Sequence, residues 1–236
     1  MRKLVIYGAG SQTRQFLAEV ERFGAADPVA LTVDREYLRE ERKWGLPVVA
    51  YEDCAALYPP EYFDMLAIGP YERARPRENM YWKARAGKYR LVNYISPKAF
   101  IDAEPVMGDN NIIYAGADIG FEGRMGSDNI VRQQVYLGHE FDIGDHNVIS
   151  PGCTIGGRLK MGSRCWIGLG ASVRDEITVG DDCLIGMGAA VVKHVESYAV
   201  VMGVPGKVVS WQRETGVDLT KRVNLHPDGT APTGER

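Results

Sequence analysis

From residue 101 onward every sixth position is aliphatic or methionine: Ile101, Met107, Ile113, Ile119, Met125, Val131, Leu137, Ile143, Ile149, Ile155, Met161, Ile167, Val173, Val179, Ile185 and Val191. An uninterrupted six-residue period is not helical and marks a solenoid of short strands. Six residues make one flat face and its corner, and three faces close a coil of eighteen. Successive coils stack at strand spacing, about 4.8 Å, so residues eighteen apart lie over one another. Glycine follows the inward residue at 108, 120, 126, 138, 144, 156, 162, 168, 180 and 186. There we read it as the backbone freedom that a tight corner demands.

The first hundred residues follow a different pattern. Lys3–Tyr7 is a short apolar strand running into Gly8-Ala9-Gly10-Ser11-Gln12-Thr13, and Phe16, Leu17 and Val20 then recur at helical spacing to about Phe23. A second strand, Ala30–Val33, ends at Asp34; another, Met65–Ile68, ends at Gly69-Pro70 and precedes a charged helix from Glu72 to Ala86. This alternation predicts a small parallel α/β sheet. The expected organisation is an α/β domain over residues 1–96, a parallel β-helix over 97–207 and a polar, partly disordered tail over 208–236.

Composition narrows the function. With 28 Lys+Arg against 31 Asp+Glu in 236 residues, the chain lacks the positive charge that nucleic acid or an anionic membrane surface requires. The run Leu4-Val5-Ile6-Tyr7 is too short for a signal-peptide core or a membrane span, which predicts a cytoplasmic protein with no membrane insertion. Cys54, Cys153, Cys165 and Cys183 form no CxxC pair and no zinc-like spacing, so no metal is expected. The last three stand two residues before an inward aliphatic, where only a small side chain fits, and are assigned to the core.

The hexad series resembles that of the hexapeptide-repeat acyltransferases over about Ile101 to Lys207. The resemblance implies a left-handed triangular helix and a homotrimer with active sites between subunits; the period itself sets no hand. An α/β domain ahead of such a helix resembles, more narrowly, the sialic-acid O-acetyltransferase and bacterial amino-sugar N-acetyltransferase branch, and implies a Rossmann-like lobe that binds a nucleotide sugar. Members of that branch carry a glycine-rich turn ending in Gly-His, acidic residues after the second strand, and His-Pro before the helix. Here those stretches read Gly8-Ala9-Gly10-Ser11-Gln12, Asp34-Arg35 and Ser96-Pro97. The implied activity is transfer of acetyl from acetyl-CoA to the amine of a nucleotide-linked sugar, in bacterial surface polysaccharide synthesis, with O-acetylation as the alternative.

Acetyl transfer from a thioester needs a base and a donor for the developing oxyanion. Of four histidines, His139 stands in Leu137-Gly138-His139-Glu140-Phe141-Asp142-Ile143-Gly144, which resembles the family's catalytic His-Glu segment. One coil on lies Gly157, whose backbone N–H we expect to be unshielded and available to the oxyanion. Glu140 either orients the imidazole or belongs to a charge ladder with Arg158, and Asp142 is the reserve carboxylate. His146 follows a different corner, in a column with Asp128 and Arg164, and is expected to be an exposed turn residue. His194 and His226 have no assigned role.

For acetyl-CoA the resemblance implies Gly168, Gly170, Gly186 and Gly188 along the pantetheine arm. It also implicates Pro205 and Lys207 in Val204-Pro205-Gly206-Lys207, where Lys207 either meets a CoA phosphate or caps the helix end. The nucleotide sugar is assigned to Gly8, Gly10, Ser11 and Asp34, a GxG turn at a helix N-terminus with a carboxylate after the next strand. Two other readings remain. A metal-dependent carbonic anhydrase of this fold needs three histidines across an interface, whereas His139 and His146 lie on different corners with no third before them. A non-catalytic sugar-nucleotide-binding scaffold needs no base at all.

Overall fold

The computed structural model describes residues 2–103, 105–212 and 216–220. The N-terminal part is an α/β sheet of β1 (Lys3–Tyr7), β2 (Pro28–Val33), β3 (Arg42–Lys43), β4 (Leu46–Ala50), β5 (Phe63–Ala67) and β6 (Arg90–Leu91), in the order β3-β4-β2-β1-β5-β6. All pairings are parallel except the β3–β4 hairpin. Helices α1 (Ser11–Phe23), α2 (Tyr51–Leu57) and α3 (Ala74–Ala86) connect the strands. Helix α1 buries Phe16 and Leu17 on one side, as its helical spacing predicts. From β1 the chain passes to β2 on one side and later to β5 on the other. The gap beyond the ends of β1 and β5 is therefore the topological switch point, where open α/β sheets form their crevices.

The remainder is a three-sided parallel β-helix. One face runs from Tyr94–Ile95 through Ile112–Ile113, Ile130–Val131, Val148–Ile149, Trp166–Ile167 and Leu184–Ile185 to Ala199–Met202. The second carries Ile119, Leu137, Ile155 and Val173, the third Met125, Ile143, Met161 and Val179, each partner eighteen residues from the next. The inward residues form one continuous column-packed core, into which Cys153, Cys165 and Cys183 are buried as expected. Burial pushes the Cys153 thiol up to about 11, and its Sγ lies 3.1 Å from the Gly168 carbonyl.

On the first face the outward residues are buried too. Tyr94, Ile112, Ile130, Val148, Trp166, Leu184 and Val200 pack in one cluster with Leu4, Phe16, Leu17 and Leu66 of the α/β domain. The other faces present Asp118, Thr154, Ser172, Arg124, Asp142 and Lys160 outward. Thus the α/β domain docks on the one face whose outer column is apolar, and the two parts share a hydrophobic seam.

Three expectations change. The corner glycines do not supply the corner conformation: every sixth residue from Asn110 to Gly188 has positive φ, and most of these are polar non-glycines such as Glu122, Glu140, His146 and Arg158. The glycines after the inward aliphatics are needed for close stacking instead. A Cβ at Gly138 would lie 2.6 Å from the Gly157 nitrogen, and one at Gly168 would lie 2.6 Å from the Met187 nitrogen.

The β-helix also begins earlier than residue 97, because Tyr94–Ile95 already pairs with Ile112–Ile113. Finally, residues 208–211 are not tail: Lys207–Trp211 turns back as an antiparallel strand on Ala199–Met202, closing what would be an open sheet edge. Residues 216–220 then return to the start of α3, where Val217 is buried and its carbonyl accepts from Ala74 N–H at 3.0 Å. Residues 221–236, including His226 and most of the expected disordered tail, lie outside the described residues.

Candidate active site

The corner between the second and third faces stacks Phe121, His139, Gly157 and Asp175 one per coil. The His139 ring lies parallel to Phe121, with centroids 5.2 Å apart and planes 9° from parallel. On its other side, a Cβ at Gly157 would stand 2.7 Å from His139 Nε2. Gly157 therefore clears the space that the imidazole occupies. His139 Nδ1 is 2.8 Å from Glu140 Oε2. A carboxylate accepts only, so Nδ1 carries the proton and Nε2 is left with a free lone pair on the Gly157 side.

Glu140 also accepts from Arg158 Nη1 at 3.1 Å, and Arg158 Nε reaches Glu176 at 3.0 Å. Glu140 thus makes both sets of contacts, with the imidazole and with the charge ladder. The hydrogen bond from His139, then that from Arg158, holds its carboxyl below the usual range. Asp142 stands in line with Arg124 and Lys160, and Glu140 is the carboxylate that meets the ring.

Two residues depart from expectation. The Gly157 N–H is not free: it donates to Asp175 Oδ1 at 2.8 Å. Asp175 lies eighteen residues on, the distance at which Asp145 and Asp181 likewise cap the amides of Ser127 and Ser163. His146 is not an exposed turn but is 3% exposed beneath α3. Its Nδ1 is 2.9 Å from Asp128 Oδ2, its carbonyl accepts from Arg77, and Tyr81 and Trp82 pack edge-on against it. Docking of α3 on a polar corner, invisible in the repeat, buries it. His194 accepts the Thr178 N–H at 3.0 Å.

A second concavity of about 630 Å³ opens in the α/β domain at the switch point. Gly8, Gly10, Ser11 and Asp34 all line it, together with Ile68, Tyr71, Lys83 and Gln12. Gly8 has φ of 125°, and a Cβ there would strike the Ile68 carbonyl, so only glycine lets the two strand ends close on each other. Asp34 is held by the Tyr7 hydroxyl and by Lys83 Nζ at 2.6 Å. Burial first, and then the Asp34 bond, raises the Tyr7 hydroxyl far above its usual range, which keeps it a donor. Burial opposes the charge on Lys83, but the Asp34 bond and the charges of Asp34 and Glu52 outweigh it and raise the ammonium.

The residues assigned to acetyl-CoA gather at the third corner, between the first and second faces. Gly170 and Gly188 have φ of 64° with open space beside them, and Leu169 and Met187 form an exposed apolar step between them. Pro205 and Lys207 lie on the closing hairpin, whose Gly206 N–H donates to Ala190 O at 2.7 Å, just past Gly188. This set is united, but not with His139, which sits on another corner. Among the described residues no group of three His, Cys, Asp or Glu side chains converges as metal ligands, and no helix is long and apolar enough to cross a membrane.

Fold and sites define a chain in which a parallel α/β domain with a switch-point cavity rides on a three-sided parallel β-helix bearing a His-Glu pair. No protein-family model matches the sequence, and no curated protein matches it. Among solved structures, it is similar to a histidine-to-asparagine variant of perosamine N-acetyltransferase from Caulobacter crescentus in complex with CoA and GDP-perosamine. That likeness has a TM-score of 0.79 and 22% identity over 88% of this chain and 97% of the other. The acetyltransferase domain of PglB from Neisseria gonorrhoeae, in complex with acetyl coenzyme A, gives 0.75 and 24% over 88% and 98%. WeeI from Acinetobacter baumannii gives 0.72 and 19% over 88% and 100%. At these identities the likeness establishes a shared fold across both parts of the chain.

Proposed function

We propose that this protein is an acetyl-CoA-dependent acetyltransferase acting on the amine of a nucleotide-linked sugar. The observation that carries the reading is the His139 geometry: Nδ1 tied to Glu140 at 2.8 Å, leaving Nε2 unprotonated and facing the room left by Gly157. The ligands of the structural neighbours, CoA with GDP-perosamine and acetyl coenzyme A, support the substrate classes. Under this reading the β-helix is left-handed, the α/β domain is Rossmann-like, and the switch-point cavity takes the nucleotide through Gly8, Gly10, Ser11 and Asp34. Acetyl-CoA lies along Gly168, Gly170, Gly186 and Gly188, with Pro205 and Lys207 at its nucleotide end. The exposed Leu169–Met187 step suits the methylene and dimethyl parts of a pantetheine arm.

The mechanism is direct attack. The sugar amine adds to the thioester carbonyl, its nitrogen passes a proton to His139 Nε2, and collapse of the tetrahedral adduct expels CoA thiolate, which recovers a proton. Glu140 steadies the imidazolium in between. The Gly157 amide, one coil on from His139, can serve the oxyanion only if Asp175 Oδ1 yields it.

A homotrimer follows from the same reading. In one chain the His139 corner is the edge of the prism opposite the docked α/β domain, and the glycines for acetyl-CoA lie on a different corner. One protomer's His139 therefore works with ligands held by its neighbour. The test is His139→Ala, assayed by release of CoA thiol with a panel of UDP-, GDP- and dTDP-linked amino sugars. Turnover should fall about 10²- to 10⁴-fold, the usual worth of a general base, with the assembly intact; an undiminished rate removes His139 from the chemistry.

A further inference from the structure

Arg132 follows Val131 at the edge of the docked face and is 8% exposed. Its guanidinium sits against the rings of Tyr114 and Tyr71, with centroids at 4.7 and 5.8 Å. Nη1 donates to Gln12 Oε1 at 2.7 Å, Nη2 donates to Gln15 Oε1, and Nε finds no acceptor among the described residues. The acceptors are neutral amides in the first turns of α1, and no carboxylate pairs with the guanidinium among the described residues.

That is an unusual place for a lone charge. A buried cation is costly unless an anion balances it, and here it adjoins the positive end of a helix whose first turn holds no acidic residue. Glu19, farther along α1, is buried and accepts the Ala115 N–H at 3.0 Å; it and Arg132 both act on the Tyr114 hydroxyl, but it does not pair with the guanidinium. Asp34, across the cavity, is balanced by Lys83.

Gln12 links this charge to the cavity it lines. Arginine offers donors only, so Gln12 must turn its carbonyl oxygen to Arg132 and its NH2 group away. That Nε2 donates to no protein group among the described residues. Fixed donors, a helix N-terminus and a buried cation with no ion-pair partner among the described residues thus meet at one wall of the cavity, and a polyanion answers all three.

We propose that Gln12 and Arg132 form the diphosphate subsite of the switch-point cavity. Gln12 donates from Nε2 to phosphate oxygens of the bound nucleotide, and Arg132, reaching in from the β-helix, is the positioning residue that fixes the Gln12 amide and supplies the balancing charge. This rests on the reading of the cavity as a nucleotide-sugar site.

The test is calorimetric titration of the full chain with GDP, UDP and dTDP, alongside thermal melting, for the wild type, Gln12→Glu and Arg132→Met. Gln12→Glu hands Arg132 a carboxylate, so the fold is kept while the donor becomes a competing anion. The expected result is about 10- to 100-fold weaker binding of the preferred diphosphate, with a melting temperature that holds or rises. Arg132→Met should weaken binding about 10-fold through the lost charge. Unchanged affinity in Gln12→Glu overturns the inference and leaves the cavity reading standing, and so does a loss of affinity matched by a loss of folding. If the wild type binds none of the three diphosphates, the cavity reading itself falls and the inference with it.

Discussion

The imidazole of His139 is set by residues from three successive coils: Phe121 stacks on one side of it, Glu140 holds Nδ1, and Gly157 leaves room on the other side. Phe121 was legible in principle, because it stands eighteen residues before His139, but a single aromatic at a corner says nothing until the partner beneath it is known. The pairing with Glu140 has a pH signature. The folded carboxyl is held below its ordinary value by His139 and then by Arg158, and a group of that kind stabilises the fold above its unfolded pKa, about 4.3 for glutamate. The contribution is complete above that value and disappears as pH falls through the lower, folded one. Stability curves of the wild type and Glu140→Gln should therefore differ at neutral pH and begin to converge as pH falls below about 4.3. The same variant should turn over about 10-fold more slowly near neutrality, the effect of losing one charge-assisted bond to the base. Chemical denaturation across pH, read beside the thiol-release rate, checks both; parallel stability curves down to pH 3 would show that the pairing carries no charge.

At the scale of the repeat, two kinds of glycine do different work, and the six-residue period marks the first kind without giving its reason. Glycines that follow the inward aliphatic have no room for a side chain because the next coil's backbone lies against them, as at Gly156, where a Cβ would be 2.5 Å from Asp175 N. The left-handed corner falls two residues later and tolerates Asn, Asp, Glu, Gln, His and Arg, at a cost of about 1 kcal/mol apiece. Gly156→Ala should accordingly lower stability by about 1–3 kcal/mol through forced separation of two coils. Gly170→Ala, with open space around it but φ of 64°, should cost only about 1 kcal/mol. Urea denaturation of the two variants decides between the classes; equal losses would mean that conformation alone governs both. The six-residue period revealed the three faces and the inward side because burial repeats with each face. Features that repeat only every eighteen residues escaped it. The column Asn111, Asn129, Asn147 is one, each side-chain oxygen accepting the amide of the coil above at 2.7–2.9 Å. The apolar outer column that ends in Trp166, Leu184 and Val200 is another, and it identifies the docked face. His146 was misread for a related reason: its column, Asn110-Asp128-His146-Arg164-Asp182, is polar as an exposed corner would be, yet α3 covers it with Arg75, Arg77 and Glu78 as partners.

For the whole molecule the decisive relation is between the cavity and His139, the proposed base. The α/β domain covers the first face and the corner that precedes it, while His139 occupies the edge where the other two faces meet. An acceptor sugar held in a chain's own cavity would have to cross the prism to reach that chain's imidazole, and the ten-ångström thickness of packed β-layers stands between them. The proposed cyclic assembly would remove the obstacle by setting one protomer's His139 edge against the cavity of the next. This makes a complementation experiment informative. His139→Ala lacks the base but keeps the cavity; Ser11→Trp keeps the base but fills the cavity mouth that Ser11 lines. Neither variant alone should turn over. When equal amounts of the two are unfolded and reassembled together, a competent site forms wherever an intact His139 meets an intact cavity across an interface, which random trimer assembly gives at about one interface in four. Recovery of about a quarter of the wild-type rate would establish that the site is shared. No recovery, with mixed trimers present by mass spectrometry, would put base and cavity to work within a single chain and would require the α/β domain to swing away from the face it now covers.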